Sequence, residues 1–358
     1  MPLGAFRQSL NLANFVEAPP SGEDYGTYQG YFRASSSTVL NAYNTSDVSQ
    51  ASVTHGVGTL NYVRAKRIPG TTSHIVGLSG GTGTKFYRYT PGTGFVQLVS
   101  LVVAGRTNDI TFDTTNNKIY MATTRSTTPF IQIYQADLSA SVTSATTLSN
   151  PATLPAGVPQ HIRFSNNGNF LAINHATTPF MRVYSRSGAT FTSITPPTSS
   201  AAPTGIAASA GRFGISWNAD DTTIAYVNST TGFRLSNLSG STFSSPVSVT
   251  TTTDIGCVAF NPNPLYKDVL LVSESTVQGR VYYWNGSSQI STTGLSDYLT
   301  ETFQWSPDGL RTLFNRSANG FRTDTFNTSY TTSSNIENLL GTDNVFTLAA
   351  RGFDWMFH

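Results

Sequence analysis

A chain of 358 residues with a single cysteine, Cys257, cannot form an intramolecular disulfide. That cysteine lies in the apolar run Ile255 to Phe260, where a free thiol acts as a small core hydrophobe. Charge is also scarce. Asp, Glu, Lys and Arg make up 11% of the residues, against about 25% in an ordinary soluble domain. The formal net charge is +2, and the one gathering of cations, Arg64, Lys66 and Arg67, reads as a solvated strand edge. A basic stripe for nucleic acid is therefore missing. No apolar run reaches the roughly eighteen residues of a membrane helix. The opening MPLGAFRQSLNLANFVEAPP lacks the charged start and apolar stretch of a secretory signal, so the chain is expected to be made in a cytoplasm and not inserted in a membrane.

Familiar chemistry is missing too. The chain contains no H-E-x-x-H, phosphate-binding loop, G-x-S-x-G elbow or metal-spaced Cys/His cluster, so the expectation is no enzyme, no metal and no cofactor. The histidines are His55, His74, His161, His175 and His358, and His175 reads as a strand-end hydrogen-bonding residue.

What remains is 38% hydrophobic residues, 12% aromatics and an abundance of Ser, Thr, Asn and Gly. That is enough apolar material for a core. Threonine favours strands and Asn, Gly and Ser favour turns, so the fold class is all-β.

The sequence repeats itself. TRSTTPFIQIYQ is followed later by NHATTPFMRVYSR, with Thr127-Thr128-Pro129-Phe130 recurring as Thr177-Thr178-Pro179-Phe180. Each copy follows a bulky anchor, a polar turn and an apolar run: TFDTTNNKIYMAT in one and RFSNNGNFLAIN in the other. The unit continues as ISWNADDTTIAYVN, VAFNPNPLYKDVLLVSE and FQWSPDGLRTLFNR, with anchors Phe112, Phe164, Trp217, Phe260 and Trp305 about 43 to 53 residues apart, the period of a propeller blade. An earlier copy runs through Ile75 to Leu78 and Phe86 to Tyr89. The C-terminal VFTLAARGFDWMFH supplies an inner strand at Trp355 for the strands of residues 28 to 56. The expected architecture is a single β-propeller of about seven four-stranded blades, closed by pairing the C-terminal strand with N-terminal strands; six or eight blades remain open as counts. Residues 1–22 would form an N-terminal arm and residues 23–358 the propeller. The tryptophans, Trp284 included, repeat with the blades and read as core.

The unit FSNNGNFLAINHATTPFMRVYSRSGATFTSI resembles a phrase close to SPDGxxLAxxHxxSPYxxIYxRSGxxFTxL repeated in WD40-like propeller structural proteins of tailed bacteriophages. The start Gly4-Ala5-Phe6-Arg7 is similar to the N-terminus of several phage virion proteins. The likeness is good over residues 105 to 325 and looser elsewhere, and the Gly-His and Trp-Asp dipeptides of eukaryotic WD40 blades are missing. The resemblance implies a non-enzymatic virion structural protein: a scaffold for assembly contacts in tail, fibre or capsid, oligomeric in the particle, with other virion proteins and host surface glycans as partners. The other readings are a carbohydrate-binding propeller module and a channel-mouth glycan hydrolase. The hydrolase would draw on Asp113, Asp220, Asp221, Asp308 or Asp354, which Asx-turn capping otherwise explains.

Two sets of binding residues follow. Positions just before each inner strand would line the channel mouth: Asn108, Gln160, His161, Arg212, Asp254, Glu301 and Arg351. The arm carries Leu3, Phe6, Arg7, Leu10, Leu12 and Phe15 ahead of Ala18-Pro19-Pro20, and would anchor on a neighbouring subunit or fold back on its own propeller.

Overall fold

The segment Lys118–Thr124 (KIYMATT) shows how one strand serves two interfaces. Successive side chains of a strand point to opposite faces. Ile119 and Met121 join a buried cluster with Ile75, Phe86 and Ile110, while Tyr120 and Ala122 join another with Ile162, Leu171 and Ile173. A strand apolar on both faces must lie in a sheet covered on both sides, and this pattern recurs through the chain.

A computed structural model describes residues 28–357 apart from 35–37, 45–47, 200–213, 230–231, 252–254, 275–277, 288, 296–299, 307, 317–319, 327–339 and 347–352. Apart from one 3-10 turn at Pro264–Tyr266, its regular structure is strand. Every strand pair is antiparallel.

The first sheet holds β1 (Tyr28–Ala34), β2 (Val39–Asn44) and β3 (Ser49–Thr54). The second holds β4 (Leu60–Arg67), β5 (His74–Gly80), β6 (Thr84–Thr90) and β7 (Gly94–Leu101). The third holds β8 (Asn108–Asp113), β9 (Lys118–Thr124), β10 (Ile131–Asp137) and β11 (Thr146–Thr147). The fourth is β12 (Pro159–Phe164), β13 (Phe170–His175), β14 (Met181–Ser187) and β15 (Thr190–Ile194). The fifth is β16 (Ile215–Trp217), β17 (Thr223–Ser229), β18 (Gly232–Ser239) and β19 (Thr242–Phe243), with β20 (Val247–Thr250) also on β18. The sixth is β21 (Ile255–Phe260), β22 (Val269–Glu274), β23 (Gln278–Trp284) and β24 (Gln289–Leu295). The seventh is β25 (Thr300–Trp305), β26 (Arg311–Arg316), β27 (Gly320–Phe326) and β28 (Leu340–Phe346). The last strand, β29 (Phe353–Phe357), returns to the first sheet and pairs with β1, Trp355 opposite Tyr31.

The leading strands touch in succession: β29 with β4, then β8, β12, β16, β21 and β25. The first five seams between sheets are apolar. Phe32 and Leu40 meet Val76 and Tyr89 at the first, Met181 and Val183 meet Ile215 and Ile224 at the fourth, and Phe233 and Leu235 meet Leu270 and Tyr282 at the fifth. The anchors belong to these seams. Trp217 stacks on Phe170 of the preceding sheet at 5.9 Å, and Trp305 Nε1 donates to the Ala259 carbonyl of the preceding sheet at 3.0 Å. A buried ion pair, Arg186 to Asp113 at 2.8 Å, ties the third and fourth sheets, with the guanidinium over the Tyr120 ring.

A leading strand has an unpaired inner edge, which would leave backbone groups without partners. Side chains of the preceding sheet supply them. The β12 edge gives its Ile162 N–H to Thr107 Oγ1 at 3.1 Å and its Phe164 N–H to Asp109 at 2.8 Å. The β21 edge gives its Phe260 N–H to Ser216 Oγ at 2.9 Å.

Candidate functional site

The inner strands of the second, third and fourth sheets bring charge together. Arg64 pairs across its sheet with Gly77, Asp109 with Ala122 and His161 with Asn174. Arg64 stands on β4, Asp109 on β8, and His161 and Arg163 on β12. Arg64 Nε donates to Asp109 Oδ1 at 2.9 Å, and Arg163 Nη1 lies 3.8 Å from the same oxygen. Asp109 Oδ2 takes the Phe164 N–H. One carboxylate thus joins three sheets.

Burial alone would raise the pKa of Asp109, but the charges of Arg163, Arg64 and Lys66 and the Phe164 N–H outweigh it and hold the carboxyl below the usual range. Asp109 is sealed, with 1% of its side chain exposed, while Arg64 keeps 13% and Arg163 22%. The carboxylate fixes the arginines, and the arginines are what a ligand could touch. The reading of Arg64 as part of a solvated edge is corrected, because its guanidinium is turned inward onto Asp109. Sequence reasoning passed over Asp109 and Arg163. The available signal was ionic residues alternating within inner strands of a chain otherwise poor in charge.

The expected mouth residues divide. Asn108 is fully buried and donates to Ser79 Oγ at 2.8 Å, and that hydroxyl continues through Thr84 to Thr123. Its Oδ1 would sit 2.2 Å from a Cβ on Gly77, so Asn108 fills the space that glycine leaves. Gln160 occupies a β-bulge where the β12 register shifts, and its carbonyl accepts from Thr107. His161 is buried, and its backbone N–H goes to Asn174 Oδ1 at 2.9 Å. A register shift of the same kind recurs in β25 between Thr300 and Thr302, the position of Glu301. Arg212, Asp254, Arg351 and the arm residues Leu3, Phe6, Arg7, Leu10, Leu12 and Phe15 lie outside the described residues.

The turn carboxylates are structural where described. Asp113 caps Asn116 N–H at 3.0 Å and Asp308 caps Leu310 N–H at 3.0 Å, as Asx turns require. His175 is buried, and its backbone N–H closes on the Phe180 carbonyl at 2.9 Å. Among the described residues no group of three His, Cys, Asp or Glu side chains could hold a metal ion, and no helix is long and apolar enough to cross a membrane.

No family model matches the chain, and no curated protein does. Solved structures do. A candidate 6-phosphogluconolactonase of Bacteroides fragilis superposes with a TM-score of 0.62 at 9% identity, covering 93% of this chain and 99% of its own. The periplasmic gluconolactonase of Pseudomonas aeruginosa gives 0.62 at 11% identity over 92% and 99%. The Dos1 propeller gives 0.55 at 8% identity over 77% and 70%. At such identities the likeness is one of fold, and the fold is of the β-propeller kind.

These neighbours overturn the reading as a non-enzymatic, WD40-like structural protein of a tailed phage, together with its placement in a virion. Bacterial proteins sharing the fold over nearly their whole length include a gluconolactonase, so the expectation that the chain is no enzyme falls as well. The physical reason lies in the repeat phrase. Its residues make the anchor, the turn after the inner strand and the Thr-Thr-Pro-Phe turn, which are parts of blade construction and carry no information about a particle.

Proposed function

We propose that the seven sheets are the blades of one β-propeller, its ring closed through β29 and β1, and that it hydrolyses a lactone of a sugar acid at the inner-strand wall formed by Arg64, Asp109 and Arg163. The observation that carries this reading is the match, over 92% of this chain and 99% of the other, to a periplasmic gluconolactonase. The wall supplies suitable chemistry. Water adds to the lactone carbonyl carbon, negative charge gathers on its oxygen, the ring C–O bond breaks, and the leaving oxygen takes a proton to give a hydroxy acid. Guanidinium groups held beside that oxygen stabilise the charge without reorganising. Asp109 provides that hold, since it binds Arg64 and is itself fixed by the Phe164 N–H. His161, two residues before Arg163 and so on the same face of β12, is the group proposed to take the proton from water.

The test is acid release from glucono-δ-lactone and its 6-phosphate by the purified full chain, against the spontaneous rate in buffer. Loss of one such stabilising group costs about 10²–10³ in rate, so Arg163→Ala should fall by that order, with Arg163→Lys, which keeps a cation beside Asp109, as the control for folding. No acceleration of either lactone would overturn the reading.

A further inference from the structure

Two Asn-Gly pairs fall among the described residues, Asn167-Gly168 and Asn285-Gly286. Asn319, of a third pair, lies outside them. An asparagine side-chain amide that precedes glycine is open to attack by the glycine's backbone nitrogen, because no Cβ shields that nitrogen and the backbone turns readily.

The two amides are polarised alike. Asn167 Oδ1 accepts the Asn169 N–H and the Ser165 hydroxyl, both at 2.8 Å. Asn285 Oδ1 accepts the Ser287 N–H at 3.0 Å and the Ser287 hydroxyl at 3.2 Å. Each oxygen has two donors placed to hold the negative charge that attack on Cγ puts there.

The attacking nitrogens differ. Gly168 is buried, and its N–H donates to the Ser165 carbonyl at 3.0 Å. That bond belongs to the turn after the inner strand, where Asp221 of the next sheet also holds the Asn166 and Asn167 N–H groups. The corresponding turn of the seventh sheet repeats the arrangement, with Gly309 N–H on the Ser306 carbonyl at 2.8 Å and Leu310 N–H on Asp308 Oδ1 at 3.0 Å. Asn285-Gly286 sits instead at the tip of the β23–β24 hairpin, just beyond the Trp284 and Gln289 pair. Asn285, Gly286 and Ser287 are exposed, and among the described residues the Gly286 N–H has no acceptor. The Gly286 carbonyl, which belongs to the following peptide unit, is held by Asn237 Nδ2 at 2.8 Å across the seam between the fifth and sixth sheets.

We propose that Asn285 is a site of spontaneous covalent modification, its side-chain amide passing to a carboxylate, while the turn around Asn167 keeps that residue intact. Gly286 N bonds to Asn285 Cγ and gives its proton to solvent, the Cγ–Nδ2 bond breaks, and ammonia leaves. Water then opens the five-membered imide at either carbonyl, to aspartate or to isoaspartate. One water enters and one ammonia departs. The isoaspartate form lengthens the backbone by one carbon beside the glycine that Asn237 ties across the seam.

The experiment incubates the full chain in mildly alkaline buffer made with heavy-oxygen water, folded and in urea, and follows the peptides by mass spectrometry. In the folded chain the Asn285 peptide is expected to show the amide-to-acid mass change, with one heavy oxygen, at least about tenfold faster than the Asn167 peptide, the worth of one retained hydrogen bond on the attacking nitrogen. In urea, where both turns are lost, the two are expected to convert at similar rates. Equal rates in the folded chain, an Asn285 amide that persists, or an Asn167 that stays protected in urea would each overturn the proposal.

Discussion

Asp221 Oδ1 accepts the backbone N–H of Asn166 at 2.7 Å, across the seam between the fourth and fifth sheets. Its other oxygen accepts the Asn167 N–H at 2.8 Å, so one buried carboxylate closes the inner turn of the preceding sheet. Asp221 does this from a left-handed backbone, φ 58°, which Asp and Asn tolerate better than other non-glycine residues.

Replacing Asp221 should therefore cost more than replacing its neighbour. Asp221→Asn keeps the backbone but turns an N–H toward one of the two donors, an expected loss of roughly 1–3 kcal/mol. Asp220, paired with Lys267 at 2.6 Å on a partly exposed surface, should lose less than about 1 kcal/mol as Asp220→Asn. Urea midpoints of the two variants check the order, and equal losses would refute it.

The sheet seams also decide what a glycine tolerates. Gly309 has φ +67° and a Cβ there would meet Asn261 Oδ1 at 2.0 Å, whereas Gly188 has φ +56° with nothing within 4 Å. Gly188→Ala should cost only the left-handed backbone, roughly 1–2 kcal/mol. Gly309→Ala should cost roughly 1–3 kcal/mol more from overpacking. Thermal unfolding of both variants measures the difference.

The third prediction concerns acid. His175 is buried, which lowers its pKa from 6.5 to about 4, with the charge of Arg182 adding to the fall and the Thr177 backbone opposing it. One sheet earlier the same two positions hold Arg125 and Gln132, hydrogen-bonded at 3.4 Å. Each pair carries one cation, and protonated His175 would add a second. Between pH 6.5 and about 4 the unfolded chain binds more protons here than the folded one, so stability falls as pH drops through that window. His55 is shifted the same way by burial and Lys85, and its Nδ1 accepts the Val57 N–H at 3.3 Å. His175→Gln should flatten the dependence of the thermal midpoint on pH across this range. An unchanged slope would show that His175 does not set it.

Much of the fold was legible because its signals are local. The anchor, polar turn and apolar run recur with the blade, and their alternation places Ile119 and Met121 on one face and Tyr120 and Ala122 on the other. The wall was less legible. Asn108 carried the chemistry expected of a mouth, yet its side-chain amide is spent on Ser79. Asp109 looked like one more polar strand residue, because its partners lie 45 and 54 positions away in the chain.

By itself the sequence determined an all-β chain of repeated antiparallel units, since strand alternation, turn residues and anchor spacing act over a few neighbouring residues. Only the tertiary structure decided which charges meet. Arg64, Asp109 and Arg163 stand on three separate sheets, and their union depends on how those sheets stack and on the unpaired edge of β12 needing an acceptor for the Phe164 N–H.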